Sequence, residues 1–313
     1  MTTLSPDAIY VFLGIAIILI MGSILSKFSI SLSSSKQSLL LNEINNTLDS
    51  WWVILIVLLL SFFLGHFGTI LLFAFISFLT LREFMTLVYS RRGDHNAIAA
   101  CFYVLLPVQY FLVLMNWYGV FSVLIPVYAF LLLPIISAIS GDTHNFFNRN
   151  AKIQWGAMVT IFCISHVPAL MFLKIKGFDD NILLLIFMIG VVQASELLQT
   201  VWGTILSDKR KILPALSHHK TVSGSIGGIL SATLLAAACY RITPFNPFQA
   251  ALIGFTICVI GFLGSLVLAA IKRSFGVKNW GRVINGHGGI LDHIDSTCFA
   301  APIFFHIVRY FWG

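Results

Sequence analysis

Residues 51–80 read WWVILIVLLLSFFLGHFGTILLFAFISFLT, thirty residues without one Asp, Glu, Lys or Arg. The run is longer than the roughly 20 apolar residues that an α-helix needs to cross a bilayer. Gly65, His66 and Gly68 alone interrupt it, so it reads as a tight hairpin of two spans or as a span plus a re-entrant helix. The rest of the 313 residues follows suit: 58% are hydrophobic and only 10% charged. Soluble domains carry about 25% charged residues, and a chain this poor in charge cannot cover a water-exposed surface. A water-soluble enzyme and a disordered chain are both excluded. The apolar stretches are continuous and lack the period-2 alternation of barrel strands, so the fold class is all-α, a polytopic transmembrane helical protein.

Ten spans are expected, at about 8–25, 51–65, 66–81, 97–115, 118–138, 154–173, 181–206, 224–240, 249–271 and 297–312. The opening MTTLSPDAIY has no basic segment before its apolar run, so the first helix is expected to be retained rather than cleaved. After the Ser-rich turn 31–35, Leu40, Leu41, Ile44 and Leu48 share one helical face, which suggests an interfacial helix. Residues 1–50 therefore form an N-terminal helix with an interfacial segment, ahead of a membrane domain over 51–313. With the N-terminus outside, 15 of the 19 Lys and Arg fall in cytoplasmic segments and four elsewhere, as the positive-inside rule requires. The net charge of +7 thus marks a membrane side, and no nucleic-acid partner is expected. The five cysteines sit in apolar runs without a C-x-x-C pair and read as small buried hydrophobes.

Two cytoplasmic segments, 196–228 and 272–295, are more polar than loops need be. In the second, Gly286, Gly288 and Gly289 flank His287, so the backbone can take positive φ and approach a ligand closely. Asp292 and Asp295 follow at i, i+3, on one face at the mouth of the last helix. Two hard oxygen ligands suit Mg²⁺, and Lys272, Arg273, Lys278 and Arg282 stand upstream to hold phosphate charge. In the first segment Glu196 is the sole acidic residue deep in an apolar run, with Gln199 one turn away. Ser217, Lys220 and Thr221 precede a helix start built of Gly224, Gly227 and Gly228, a combination that suits a phosphate or, equally, close helix packing. Arg82 and Glu83 read as a solvated pair at a helix end, with either one within reach of the site. His66, His166 and His306 read as single packing residues, and the adjacent His218 and His219 lack metal-ligand spacing.

These segments resemble the CTP:phosphatidate cytidylyltransferases, or CDP-diacylglycerol synthases. That family ends in S-x-x-K-R-x4-K-D-x-G-x3-P-G-H-G-G-x-x-D-R-x-D before a last helix. Lys272, Arg273, Lys278, Gly281, Gly286, His287, Gly288, Gly289, Asp292 and Asp295 match it in spacing. Upstream, Gln199, Gly203, Pro214, Ser217, Lys220, Thr221, Gly224, Gly227 and Gly228 match D-x-x-A/Q-x-x-x-G…P-x-x-S-P-x-K-T-x-E-G-x-x-G-G. The departures are Ala269 for Ser, Glu196 for Asp, His218 for Pro, Ser223 for Glu, Asn279 for Asp, Asn285 for Pro and His293 for Arg.

The resemblance implies nucleotidyl transfer from CTP to phosphatidate, giving CDP-diacylglycerol. It implies Mg²⁺ held by Asp292, Asp295 and Glu196, with a second cation left open. Lys220, Lys272, Arg273 and Lys278 would neutralise phosphates, Ser217 and Thr221 would hydrogen-bond them, and His287 with its glycines would shape the turn. It further suggests a homodimer in a cell inner (plasma) membrane, with the active face cytoplasmic. Two competing readings stand beside it: a catalytically degenerate member that binds phospholipid or a partner, and a transporter.

Overall fold

The computed structural model describes residues 6–32, 48, 51–60, 63–88, 90–206, 210–214, 220–281 and 288–313. The expected interfacial helix falls largely outside them. Ten helices carry the described residues: α1 (Pro6–Leu32), α2 (Trp51–Leu60), α3 (Gly65–Leu87), α4 (Arg92–Leu114), α5 (Tyr118–Ala138), α6 (Phe146–Phe172), α7 (Asn181–Ile205), α8 (Val222–Ile242), α9 (Pro247–Ser274) and α10 (Ile290–Trp312). No strand occurs among the described residues, and Lys211 and Thr221 form an isolated antiparallel bridge. Eight helices are long and apolar enough to cross a membrane: α1 and α3 to α9. The other two are α2 and α10. The ten residues described for α2 rise about 15 Å, half the hydrocarbon thickness. Gly65, at φ +70°, turns the chain into α3.

By contact the chain divides into two compact units that interleave in sequence. One comprises Met1–Gly68 with Gly177–Val259, the other Thr69–Lys176 with Ile260–Gly313. The first is built on an α7/α8 hairpin. Small residues let the backbones touch: a Cβ on Gly228 would stand 2.5 Å from the Gln199 nitrogen, and one on Gly224 2.9 Å from the Gly203 Cα. Trp202 seals the pair by donating its indole N–H to Ser231 Oγ at 2.8 Å. Of the two roles the glycines could play, this contact is packing.

In the second unit α6 is the central helix, with Val159 to Met171 buried throughout. It packs on α10 and carries Gly156 against Phe84 and Met85 of α3. Some buried polar groups in this interior find internal partners, as an apolar surrounding favours. Tyr110 donates to the Phe73 carbonyl at 2.8 Å, and Gln109 donates to Ser165 Oγ at 3.1 Å. His166 and His306, expected to sit singly, lie against each other with ring centroids 5.3 Å apart. Tyr118 hydroxyl and His306 Nδ1 form a hydrogen bond, with Arg309 over the Tyr118 ring.

The α3–α4 and α5–α6 turns are tied by a four-charge network. Arg149, 3% exposed, reaches Asp94 at 3.0 Å and Asp142 at 3.2 Å, while Arg91 reaches Asp142 at 2.8 Å. Arg149 also donates to the carbonyls of Asp142 and His144. Neither charge of the buried Arg149–Asp94 pair is left without a counter-charge, the condition on which burial of ions is tolerated.

Candidate active site

The polar chemistry of the second unit gathers where α9 ends and α10 begins. Lys272 and Arg273 close α9. Gly276, at φ +73°, then reverses the chain, with the Val277 N–H bonded to the Lys272 carbonyl at 3.1 Å and the Gly276 N–H to the Arg273 carbonyl at 3.0 Å. Such a glycine stop needs the left-handed conformation that side chains resist. The reversal sends Trp280 inward: it is 1% exposed and stacked on Phe84 at 5.1 Å, with Phe275 against its edge.

Asp292 organises the start of α10. Its Oδ2 accepts the backbone N–H groups of Trp280 and Gly289, both at 2.9 Å, and its Oδ1 accepts Lys272 Nζ at 2.7 Å. Both side chains of that pair are largely shielded, 14% and 13% exposed. A second carboxyl group completes the arrangement. Glu83, 6% exposed, accepts the Ile290 N–H on Oε1 at 2.8 Å and the Leu291 N–H on Oε2 at 3.0 Å. Helix N-termini attract acidic groups through exactly such unpaired N–H donors, and here two acids share one.

The glycines follow from these carboxyl groups. Gly288 takes φ +93°, as a glycine turn at this point predicts, and a Cβ there would lie 2.8 Å from Asp292 Oδ2. A Cβ on Gly289 would lie 2.6 Å from Glu83 Oε2, and one on Gly281 3.0 Å from Glu83 Oε1. Three motif glycines thus serve close approach of acid to backbone.

Of the expected site residues, Lys272, Gly288, Gly289 and Asp292 come together here. Asp295 is half-buried three residues further along α10, its Oδ1 accepting the Ser296 N–H at 2.7 Å. Arg273, in the last turn of α9, and Lys278, on the α9–α10 connection, are both exposed. Gly286 and His287 lie outside the described residues, as does Ser217. Glu83 was read as solvated and is instead buried in the site. The signal for it was helical spacing: it lies three residues after Thr80 and beside Phe84, both fully buried on α3.

The other unit holds the remaining three. Glu196 is half-buried on α7. Gln199, expected to orient it, donates to Ser195 Oγ at 3.1 Å. Thr221 is the N-cap of α8, its Oγ1 accepting the Gly224 N–H at 3.2 Å, and the Val222 N–H goes to the Arg210 carbonyl at 3.0 Å. Two of the N–H groups that suggested a phosphate cradle are therefore engaged. Lys220 is half-buried and its carbonyl accepts the Ile212 N–H in the same bridge.

Comparison with known sequences gives this geometry its context. Residues 46–311 match the sequence model of the cytidylyltransferase family. The chain belongs to the cytidylyltransferase family. This cytidylyltransferase-family protein is 32% identical over 296 residues to the uncharacterized protein YnbB of Escherichia coli, covering 94% of this chain and 95% of that one. It is 32% identical over 203 residues to the phosphatidate cytidylyltransferase of Bacillus subtilis, covering 62% of this chain and 70% of the relative. The Staphylococcus aureus phosphatidate cytidylyltransferase is 41% identical over 97 residues, 30% of this chain and 37% of its own. The nucleotidyltransferase class that the two polar segments implied is the class its family bears.

Proposed function

We propose that the protein makes CDP-diacylglycerol and pyrophosphate from CTP and phosphatidate at the cytoplasmic face of the cell membrane. The observation that carries this reading is the Lys272–Asp292 pair, set among Gly281, Gly288 and Gly289 at the start of α10 in a cytidylyltransferase-family chain. A phosphatidate oxygen attacks the α-phosphorus of CTP. The new P–O bond forms as the α–β bridging bond breaks, and pyrophosphate carries away the electron pair. The nucleophile is already anionic near neutral pH, so positioning and charge neutralisation carry the catalysis.

Lys272 serves as the shielded cation. Passing from Asp292 to a phosphate oxygen, it neutralises charge and releases Asp292 Oδ1. Glu83 is a positioning residue: by holding the Ile290 and Leu291 N–H groups it fixes where Asp292 and Asp295 stand. The donor set suits a hard cation. Oδ2 of Asp292 is occupied by two N–H groups, whereas Oδ1 faces only Lys272 among the described residues. Asp295 follows at i, i+3. No cluster of three His, Cys, Asp or Glu able to hold a metal occurs among the described residues, so phosphate oxygens and water would complete the shell, as Mg²⁺ prefers. When bound, Mg²⁺ would supply charge neutralisation on the phosphates, held by Asp292 and Asp295.

A second reading has one observation in its favour. Asn279, where the family signature carries Asp, lies 3.4 Å from the position of a Cβ on Gly288. A carboxylate is thus missing beside Asp292, which fits a member that binds lipid phosphate with weakened turnover.

The test is transfer of label from [α-³²P]CTP to phosphatidate by purified protein, with Mg²⁺ and with EDTA. Asp292→Asn perturbs the helix start, so Asp295→Asn and Lys272→Met accompany it, with thermal unfolding as the check on folding. Mg²⁺-dependent labelled lipid that falls at least tenfold in folded Asp295→Asn and Lys272→Met protein supports the enzyme. No label from the natural protein, with strong turnover after Asn279→Asp, supports the degenerate reading instead.

A further inference from the structure

The carboxylate that organises the start of α10 is held on every side. Asp292 Oδ2 accepts the Trp280 and Gly289 N–H groups, both at 2.9 Å, which fixes the plane of the carboxylate. Oδ1 is the oxygen left for a ligand, and Lys272 Nζ lies on it at 2.7 Å. Among the described residues this is the one hydrogen bond that the ammonium makes. The backbone of Lys272 is fixed as well, since its carbonyl accepts the Phe275 and Val277 N–H groups, each at 3.1 Å. The four-carbon stem is therefore the part that can move.

Two cations cannot share Oδ1. Mg²⁺ binds oxygen at about 2.1 Å, so beside Lys272 it would stand no farther than about 5 Å from the ammonium. Both side chains of the pair are largely shielded, 14% and 13% exposed, and like charges repel strongly where water screens them poorly. The neighbouring groups offer a cation little else. Asn279, 3.4 Å from the position of a Cβ on Gly288, is neutral. Both Glu83 oxygens accept N–H groups of α10. Asp295 adds one carboxylate, and Mg²⁺ held by so few protein oxygens relies on phosphate for the rest. Nor can Lys272 simply withdraw, because that would leave a shielded ammonium and a shielded carboxylate both without a counter-charge. A phosphate group removes the difficulty: it accepts the ammonium and brings oxygen ligands of its own. The exposed Arg273 and Lys278 draw such an anion to this end of α9.

We infer that Lys272 is a latch that makes cation binding at Asp292 conditional on phosphate. Phosphate draws the ammonium away, and only then is Oδ1 open to a divalent cation. Linkage requires the converse: the cation tightens phosphate binding by the same factor. The inference rests on the function proposed above and adds an order to it, with the site shut to free metal until a phosphate group arrives.

The experiment uses the full chain in a neutral, phosphate-free detergent, with Mn²⁺ as the hard-cation probe and the signal of free Mn²⁺ read by electron paramagnetic resonance. Inorganic phosphate, a weak chelator, is the anion, against chloride at equal ionic strength. Asp292→Asn protein serves to subtract Mn²⁺ bound elsewhere. Phosphate should tighten Mn²⁺ binding to the natural protein about tenfold. Lys272→Met should bind Mn²⁺ at least about tenfold more tightly than the natural protein without phosphate, and should gain much less when phosphate is added. Lys272→Arg keeps the charge and should stay closed to Mn²⁺ alone. Natural protein that binds Mn²⁺ equally well in phosphate and in chloride would overturn the latch, and this comparison needs no variant to fold. Folded Lys272→Met protein that binds Mn²⁺ no more tightly than the natural one would overturn it too. Phosphate-gated binding without label transfer from CTP would overturn the enzymatic reading and leave the latch standing. Label transfer with phosphate-independent Mn²⁺ binding would do the reverse.

Discussion

Glu83 and Gly289 show how one residue pair decides the start of a helix. Removing the Glu83 carboxyl group strands two buried N–H donors, each costing about 1–3 kcal/mol. Glu83→Ala should therefore destabilise the folded protein by at least about 2 kcal/mol, read as a lowered thermal midpoint in detergent. Gly289→Ala drives a methyl to within 2.6 Å of Glu83 Oε2 and should be destabilising by itself. The two effects are coupled, so Gly289→Ala should cost much less in Glu83→Ala protein; full additivity would show that the contact is not the cause. Asp142 offers a pH-dependent counterpart in the α5–α6 turn. Partial desolvation pulls its pKa upward, but the His144 N–H and the Arg149 and Arg91 guanidiniums outweigh that and hold the carboxyl below the usual carboxylate range. A carboxyl depressed on folding stabilises above its unfolded pKa, about 4, and loses that contribution as pH falls through the lower folded value. The gap in thermal midpoint between natural and Asp142→Asn protein should be full at pH 6 and close below pH 4. A gap that does not shrink at all as pH falls from 4 to 2 would refute the ionic origin.

Between helices, the same substitution takes opposite signs at two glycines of the α7/α8 hairpin. Gly190 of α7 has nothing within 4 Å of where a Cβ would sit, so Gly190→Ala should be neutral or stabilising by up to about 1 kcal/mol through helix propensity. Gly228 faces backbone at 2.5 Å, which cannot step aside as a side chain can. Gly228→Ala should push α8 from α7 and lower the thermal midpoint by several degrees. Equal effects at both positions would mean that close packing does not hold this hairpin. The family motif contains Gly228 but not Gly190, and the packing supplies a reason for the difference that requires no ligand.

For the whole molecule, charge placement predicts an orientation that topology mapping can test. Arg91, Arg149, Lys152 and Lys272, assigned to three separate cytoplasmic segments by their sequence, converge at one end of the second unit through Asp142, Asp94, Phe275 and Asp292. An exposed residue there, His144, and one on the opposite connection, Lys176, provide the test. In intact cells a membrane-impermeant maleimide should label Lys176→Cys and spare His144→Cys, which should react only after lysis. Labelling in the opposite sense would invert the topology and place the Lys272–Asp292 pair away from cytoplasmic CTP.

The sequence by itself determined a helical membrane protein and located α1 and α3 to α9, with the starts of α4 and α6 lying five and eight residues before the expected 97 and 154, and it singled out 272–295 as a candidate site segment. Hydropathy and motif spacing are local properties and survive in one dimension. The positive φ at Gly288 was legible for the same reason. What Asp292 does was not: its partners lie on α9, on the connection after it and at its own helix start, and only packing brings Lys272 and the Trp280 N–H to one carboxylate. Glu83 was read first as solvated, and only second as able to reach the site, because a charge beside Arg82 looks exposed until the start of α10, more than 200 residues away, is laid over it. Desolvation and the pairing of distant donors are properties of the tertiary structure, and they decided which acids and cations make the site.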